Sequence, residues 1–410
     1  MLKLFNSMGK RMEEFVPVNP NPVNIFTCGP SVYQRPHIGN FRTFLFEDVL
    51  VRYLEYSGYR VRRGMNITDI EDKAIAQARK EKAGLEEIAD RNTRLFLEEM
   101  DALGAKRPDV LPRATRSVEE AVRIIERLLD LGIAYRHKGD IFFDPLRFPG
   151  FGRLYGLDMS RWPRKKVRYR RDTYPGMRWN LGDFILWHKW RGGNEEFWET
   201  RLGKGRPSWN VQDPSMINPH FHETLSIYCG GVDNLIRHHD YIIAVLESLR
   251  PYPVAKYWLH CRHLLVAGKK MSKSRGNIVY TEKLLRRGYS AAEVRFFLID
   301  NHYRKEIDYS DESMTAAAAR LAELRTAVGL VADRSGSEPP DPEAADRVRQ
   351  AFSRSMDDDL DVRSAVDGVL GAMLAAPPEQ IDPSEAGGMV QAAAEIDSVL
   401  KVIFSAAGEK

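Results

Sequence analysis

The chain has 410 residues, enough for two or more domains with full cores, and its 43% hydrophobic and 29% charged content is that of a globular protein. It holds no apolar run near the roughly 18 residues of a membrane span and no secretory signal over Met1 to Val16. Only three cysteines are present (Cys28, Cys229, Cys261), which excludes a disulfide framework and fits a reducing, cytoplasmic setting, while the net charge of +4 permits a nucleic-acid partner without arguing for one.

In chain order, the apolar run Val23 to Phe26 reads as a buried strand, followed by Cys28-Gly29-Pro30-Ser31-Val32-Tyr33-Gln34-Arg35-Pro36-His37-Ile38-Gly39-Asn40. Phe41, Leu45, Val49 and Tyr53 then recur at i, i+4, which predicts an amphipathic helix to Ser57, with Gly58 as its stop. A strand, a glycine-containing turn and a helix N-terminus form an anion site, because free backbone N–H groups and the helix dipole face the ligand. Tyr59 to Ile67 reads as a second strand, ending in Asn66-Ile67-Thr68-Asp69-Ile70-Glu71-Asp72-Lys73. Strand, helix and strand make a right-handed parallel unit, which puts Cys28 and Thr68 at the same crevice.

Helices are predicted over Leu85–Leu103 and Ser117–Leu131, the latter with Val118, Ala121, Val122, Ile125 and Leu128 on one face and Gly132 at its end. From Ile133 to about Arg206 short β-like pieces (Asp140 to Phe143, Phe184 to Trp187) alternate with Gly, Pro and charge, the texture of an insertion between two halves of a parallel sheet. Within it, Arg161 to Arg171 holds seven Lys or Arg among eleven residues, readable as a phosphate-contacting patch or as a solvated loop. The sheet resumes at Thr224 to Tyr228, leading to Cys229-Gly230-Gly231-Val232-Asp233, whose paired glycines allow close approach of a ligand. His238-His239-Asp240 opens a helix to Leu249, and Trp258 to Val266 reads as another strand. The loop Gly268-Lys269-Lys270-Met271-Ser272-Lys273-Ser274-Arg275-Gly276-Asn277 follows, where lysines can neutralise a triphosphate as charge moves onto departing pyrophosphate. Ala291–Ile299, Ser313–Val331, Ala344 onward and Gly388–Phe404 are helical in pattern, with turns at Gly336–Asp341 and Pro377-Pro378.

His-Ile-Gly-Asn at 37–40 and Lys-Met-Ser-Lys-Ser at 270–274 resemble the two signatures of class I aminoacyl-tRNA synthetases. The runs CGPSVYQRPHIGN, NITDIEDK, PRATRS, DFILW, CGGVDNLIRHHD, KKMSKSRGN, NHYRKEIDYSDESM and MDDDLD resemble cysteinyl-tRNA synthetases in order and spacing, over about residues 20 to 405. The resemblance implies an α/β fold: a Rossmann-like parallel sheet split by an inserted α+β domain and followed by a helical bundle. Its expected parts are 1–112 and 207–265 for the two halves of the catalytic domain and 113–206 for the insertion. The signature loop and stem-contact region would occupy 266–312, and the bundle 313–410. It implies that a ligase uses ATP with Mg²⁺ to turn an amino acid into an aminoacyl-adenylate and passes the acyl group to an acceptor, tRNA in the family. His37, Asn40, Lys270 and Lys273 would be catalytic. Gly39, Gly230, Gly231, Asp233, Met271, Ser272 and Ser274 would bind ATP. Cys28, Gly29, Thr68, Trp209, Asp213 and His238 would form the amino-acid pocket.

Two departures from the family qualify this reading. The family selects cysteine on a zinc ion held by two Cys, one His and one Glu. Here Cys28 and His238 remain, but the second Cys position, in Trp209-Asn210-Val211-Gln212-Asp213, is Asp213, and the Glu position is Ile242. Cys28, Asp213 and His238 could form a three-ligand zinc site with an open fourth position. Alternatively they line a pocket read by Asp213 that prefers a donor or cationic side chain over cysteine. The family also continues into a small anticodon-reading module, whereas this sequence ends at Lys410, so anticodon recognition is not expected. A related group, the mycothiol-pathway cysteine ligases, acylates a small amino-sugar on a similarly short plan, which makes a small amine or a carrier an alternative acceptor. A non-catalytic tRNA-binding paralogue is the third reading, and intact His37, Asn40, Lys270 and Lys273 argue against it.

Overall fold

The computed structural model describes residues 1–172, 179–193, 196–271 and 275–404. Its centre is a parallel sheet of four strands in the spatial order Ala255–Cys261, Leu225–Gly231, Val23–Thr27 and Val61–Met65. The two halves of the chain meet at the middle of this sheet, where Ile25 pairs with Ile227 and Thr27 with Cys229. From that seam the chain winds outward in both directions, towards 61–65 on one side and 255–261 on the other. The seam is therefore a topological switch point, and a ligand crevice opens beyond the carboxyl ends of its strands. Val23–Thr27 is buried at every residue, as expected for a strand covered on both faces.

The helix after the first strand runs Ile38–Tyr56 and is not the amphipathic surface helix that its spacing suggests. Arg42, Glu47 and Asp48 are buried in it along with the apolar positions. The reason is tertiary: the helix lies between the sheet and the C-terminal helices, in one continuous core with Phe352, Ile396 and Leu400. Its charges are neutralised inside, Glu47 by Arg63 at 2.9 Å and Asp48 by Arg295 at 2.6 Å and Arg52 at 2.9 Å.

Between the halves, the helix Val118–Asp130 packs on a mixed sheet ordered 134–137, 140–143, 183–189, 203–207 and 198–200, with Arg168–Tyr169 also paired to 183–189. Phe184 of this insertion stacks on Tyr241 of the helix His238–Glu247 at 4.0 Å, which fixes the insertion to the catalytic half. Part of the basic run is spent internally: Lys166 pairs with Asp144 at 2.9 Å and Asp183 at 3.2 Å, Arg170 with Asp140 at 3.3 Å, and Arg168 donates to the Tyr135 hydroxyl at 2.9 Å.

The expected strand Trp258–Val266 is two strands. Ala255–Cys261 stays in the parallel sheet, while Leu264–Val266 pairs with Ile307–Tyr309 and with Lys269–Lys270. The break between them brings Lys270 and Met271, at the start of the second signature, back to the crevice. Helices Asp311–Ala332, Pro342–Met356, Val362–Met373 and Pro383–Leu400 form the bundle. The last of these begins earlier and ends sooner than the sequence suggests, because Pro383 suits a first turn and Lys401 takes the left-handed conformation at φ 58°. Arg295, on the helix Ala291–Ile299, binds Asp48, the Leu103 carbonyl at 3.1 Å and the Leu400 carbonyl at 2.6 Å, so one guanidinium joins four helices. Elements unread from the sequence include the N-terminal hairpin Lys3–Asn6 with Arg11–Glu14, the helix Asp72–Glu81 and the helix Trp209–Ile217, which carries Asp213. Asp359 of the MDDDLD run clasps the hairpin, accepting from the Phe5 N–H and the Tyr303 hydroxyl, each at 2.7 Å. Among the described residues no helix is long and apolar enough to cross a membrane.

Candidate active site

The first strand ends at Cys28, and the turn after it is pinned to the extension of the second strand. The Gly29 N–H donates to Asn66 Oδ1 at 2.9 Å, Val32 N–H to the Thr68 carbonyl at 3.0 Å, and Thr68 N–H to the Pro30 carbonyl at 3.1 Å. Gly29 is required by close approach, since a Cβ there would lie 1.8 Å from the Asn66 carbonyl oxygen. His37 is the N-cap of the helix, with extended backbone, and its N–H donates to Asn40 Oδ1 at 3.0 Å, which holds the Asn40 side chain over the first turn. No acidic residue occupies that turn, so its positive end is left for a ligand. Burial and the nearby Lys270 charge lower the His37 pKa to about 4, which keeps the ring neutral at pH 7, and its Nδ1 is buried without a partner among the described residues.

The opposite wall comes from the second half of the chain. Gly231 ends its strand, Asp233 follows, and Lys270 reaches across from the signature hairpin to bond Asp233 Oδ2 at 2.7 Å. A cavity of about 490 Å³ opens between the walls, within the range of small-molecule sites. It brings together Cys28, Gly29, His37, Gly39, Asn40, Thr68, Trp209, Gly231, Asp233, His238, Lys270 and Met271. Gly230 is not on its wall and packs instead under Asn234 and His239. Asp213 is not on the wall either: it is fully buried behind Cys28 and His238. Ser272, Lys273 and Ser274 lie outside the described residues.

At the deep end, the Trp209 ring stacks flat on His238 at 4.1 Å and 8°. Asp213 Oδ2 accepts from the Tyr228 hydroxyl and from His238 Nε2, each at 3.2 Å, while Oδ1 has no partner among the described residues. Cys28 Sγ lies 3.9 Å from Asp213 Oδ2 and 3.1 Å from His239 Nε2. Behind it, His239 Nδ1 meets His260 Nε2 at 2.9 Å and His260 Nδ1 meets Ser7 Oγ at 2.8 Å. Burial first, and the Asp213 charge second, push the Cys28 thiol well above its ordinary value.

Cys28 Sγ, Asp213 Oδ2 and His238 Nε2 lie within 4.8 Å of one another and all three residues are buried, so three of the four positions of the family's zinc set carry donors. The set does not otherwise fit. Ile242, at the fourth position, is fully buried hydrocarbon. His238 Nδ1 is buried without a partner among the described residues, whereas a zinc-ligating histidine holds its second nitrogen by a hydrogen bond. Asp213 Oδ2 is already engaged by two donors, and a carboxylate in place of a thiolate hardens the site.

Beside the pocket is a network that the sequence did not reveal. Asp172, buried in the insertion, accepts from His188 Nε2 at 2.7 Å, from Arg206 at 2.8 Å and from the Trp209 N–H at 3.1 Å. Arg206 also bonds Asp72 at 2.5 Å. The donors of Asp72, Asp172 and His188 lie within 4.8 Å of one another, but Arg206 already neutralises both carboxylates. Tyr228 and His239 were also missed. Tyr228 immediately precedes the run CGGVDNLIRHHD and His239 lies within it, but neither has local spacing that announces a contact with Cys28 or Asp213.

The family model described as tRNA synthetases class I (C) catalytic domain matches residues 14–319. The chain is similar to the Cysteine--tRNA ligase of Chlamydia pneumoniae, 40% identical over 369 residues, covering 88% of this chain and 77% of that protein. It is similar to that of Geobacillus thermodenitrificans, 36% identical over 375 residues, covering 89% and 78%. Among solved structures, Mycobacterium tuberculosis methionyl-tRNA synthetase in complex with methionyl-adenylate aligns with a TM-score of 0.64 at 16% identity, covering 92% of this chain and 89% of that one. The Agrobacterium radiobacter K84 agnB2 LeuRS in a ternary complex with tRNA and LeuAMS aligns with a TM-score of 0.65 at 12% identity, covering 95% and 85%. At these identities the two structures speak for the fold alone.

Proposed function

Because the chain belongs to the cysteinyl branch of the class I aminoacyl-tRNA synthetases, we propose that it joins an amino acid to AMP at the switch-point cavity and transfers the acyl group to a tRNA. The observation that carries this reading is the pairing of the open helix N-terminus at His37–Asn40 with Lys270 on the facing wall of one cavity. The helix N-terminus and the neutral His37 ring would bind phosphate oxygens, while Gly39 would leave the backbone bare for the nucleotide. Asp233 holds Lys270 over the cavity, and a triphosphate would compete for it. The amino-acid carboxylate would attack the α-phosphorus, the bond to the β-phosphate oxygen would break, and Lys270 with Lys273 would take up the charge on the leaving pyrophosphate. Mg²⁺ bound to the phosphates would neutralise charge on the same group. Positioning and electrostatics carry such a step without a side-chain nucleophile.

The acceptor in this reading is the 3′ end of a tRNA, in keeping with the relatives' names. Three buried free thiols suit the reducing cytoplasm, where we place the activity. ATP–pyrophosphate exchange over a panel of amino acids, with and without bulk tRNA, tests the reading. Exchange with acid-precipitable acyl-tRNA is the expected result. Exchange without acyl-tRNA would move the acceptor to a small amine, and no exchange at all would refute the ligase assignment.

A further inference from the structure

We propose that the side-chain end of this pocket selects an amino acid with a short, hydrogen-bond-donating side chain, an amine or a hydroxyl, without a metal ion. The inference rests on the ligase reading above and narrows its substrate.

The argument begins with His238, which lines the cavity and is clamped against Trp209. Its Nε2 lies 3.2 Å from a carboxylate oxygen, which can only accept, so Nε2 carries the proton. In the neutral ring Nδ1 is then an acceptor, and it is buried with no partner among the described residues. Asp213 is therefore the group that sets the tautomer of His238. Its own Oδ1 is a second buried acceptor with no partner among the described residues, and it pairs with His238 through Oδ2 at 3.2 Å. Two orphan acceptor atoms, one on His238 at the wall and one on the Asp213 carboxylate directly behind it, leave this end of the pocket short of donors and of positive charge. An unmatched buried acceptor costs about 1–3 kcal/mol, which a substrate donor relieves and an apolar side chain does not. A protonated amine also relieves the unbalanced Asp213 charge, which a thiolate would aggravate.

The zinc alternative would rest on three ligands, since Ile242 is buried hydrocarbon at the fourth position, and would leave His238 Nδ1 with no hydrogen-bond partner among the described residues. Of the cations on or near the cavity, Lys270 is held by Asp233 on the opposite wall, Arg35 by Glu99 and Glu282, and Arg206 by Asp72 and Asp172, while Lys73 sits over the Tyr33 ring.

The test is pyrophosphate exchange by the purified full chain with serine, 2,3-diaminopropionate, cysteine and alanine, with and without a zinc chelator, alongside metal content by mass spectrometry. The expected result is kcat/KM at least tenfold higher for serine or 2,3-diaminopropionate than for cysteine and alanine, no chelator effect, and less than a tenth of a metal ion per chain. Asp213→Asn should then shrink the advantage of the diamino acid at least tenfold while the KM for ATP holds. Cysteine as the best substrate, with chelator-sensitive exchange and one metal per chain, would overturn the proposal and leave the ligase reading standing. Absence of exchange with every amino acid would overturn both.

Discussion

Asp172→Asn removes one charge and keeps the shape of the side chain, and its cost follows from three contacts. The carboxylate accepts from His188 at 2.7 Å, Arg206 at 2.8 Å and the Trp209 N–H at 3.1 Å, and an amide can no longer accept at both heads. Breaking a buried ion pair from one side costs about 3–5 kcal/mol. Arg206 keeps Asp72 as a partner, which places the expected loss near the lower bound, about 3 kcal/mol, or roughly a hundredfold in the unfolding equilibrium. Burial alone would raise the Asp172 pKa, but the charges of His188 and Arg206 outweigh it and hold the group well below the usual carboxylate range. A depressed carboxylate stabilises above its unfolded value of about 4 and loses that contribution as the pH falls towards its folded value. The gap between wild type and variant in urea midpoint should therefore be full at pH 7 and shrink below about pH 4. Because the Trp209 N–H opens the helix that carries Asp213, the KM for the amino acid should rise while the KM for ATP stays put. Equal midpoints at pH 7, or a matched rise in both KM values, would refute the assignment of Asp172 as a positioning residue for the pocket.

Gly39→Ala sets two effects against each other: alanine near a helix start stabilises by up to about 1 kcal/mol, but its Cβ falls 2.6 Å from Met271 Cε and occupies the nucleotide face. Thermal melts should be level or slightly raised while the KM for ATP rises tenfold or more in exchange assays. Arg295→Met leaves Asp48 with Arg52 alone among its arginine partners and frees the Leu103 and Leu400 carbonyls, so a loss of about 3–5 kcal/mol in urea unfolding is expected. His37 titrates at about 4 when folded and near 6.5 when free, through burial and the Lys270 charge, so the folded state resists its protonation. Stability should fall as pH drops from about 6.5 towards 4, and His37→Asn should make that limb of the curve shallower.

How much of this the sequence disclosed depends on how local the determinants are. The strand, turn and helix start around Cys28 to Asn40 were readable because each signal lies within a few residues of the next. The burial of Ile38–Tyr56 on nearly every side was not, since its second cover is the bundle, and nothing in a 3.6-residue period reports a distant partner. The apolar run at 258–266 gave no hint that it divides between two sheets, because hydrophobicity does not encode which neighbour a strand chooses. Asp213 was legible as an oddity against the family pattern, yet its partners Tyr228 and His238 come from other elements and only the fold unites them. Asp72, Asp172 and Arg206 are scattered along the chain and carry no shared motif, so their network had no sequence signature.

The buried helix Ile38–Tyr56 has 19 residues and is about 28 Å long at 1.5 Å per residue. One end is the His37–Asn40 turn, and at the other Tyr53 packs edge-on to Phe352 of the bundle and bonds Asp357 at 2.8 Å. Packed along its length between the sheet and the bundle, the rod ties the position of the His37 turn to the packing around Phe352 at its far end.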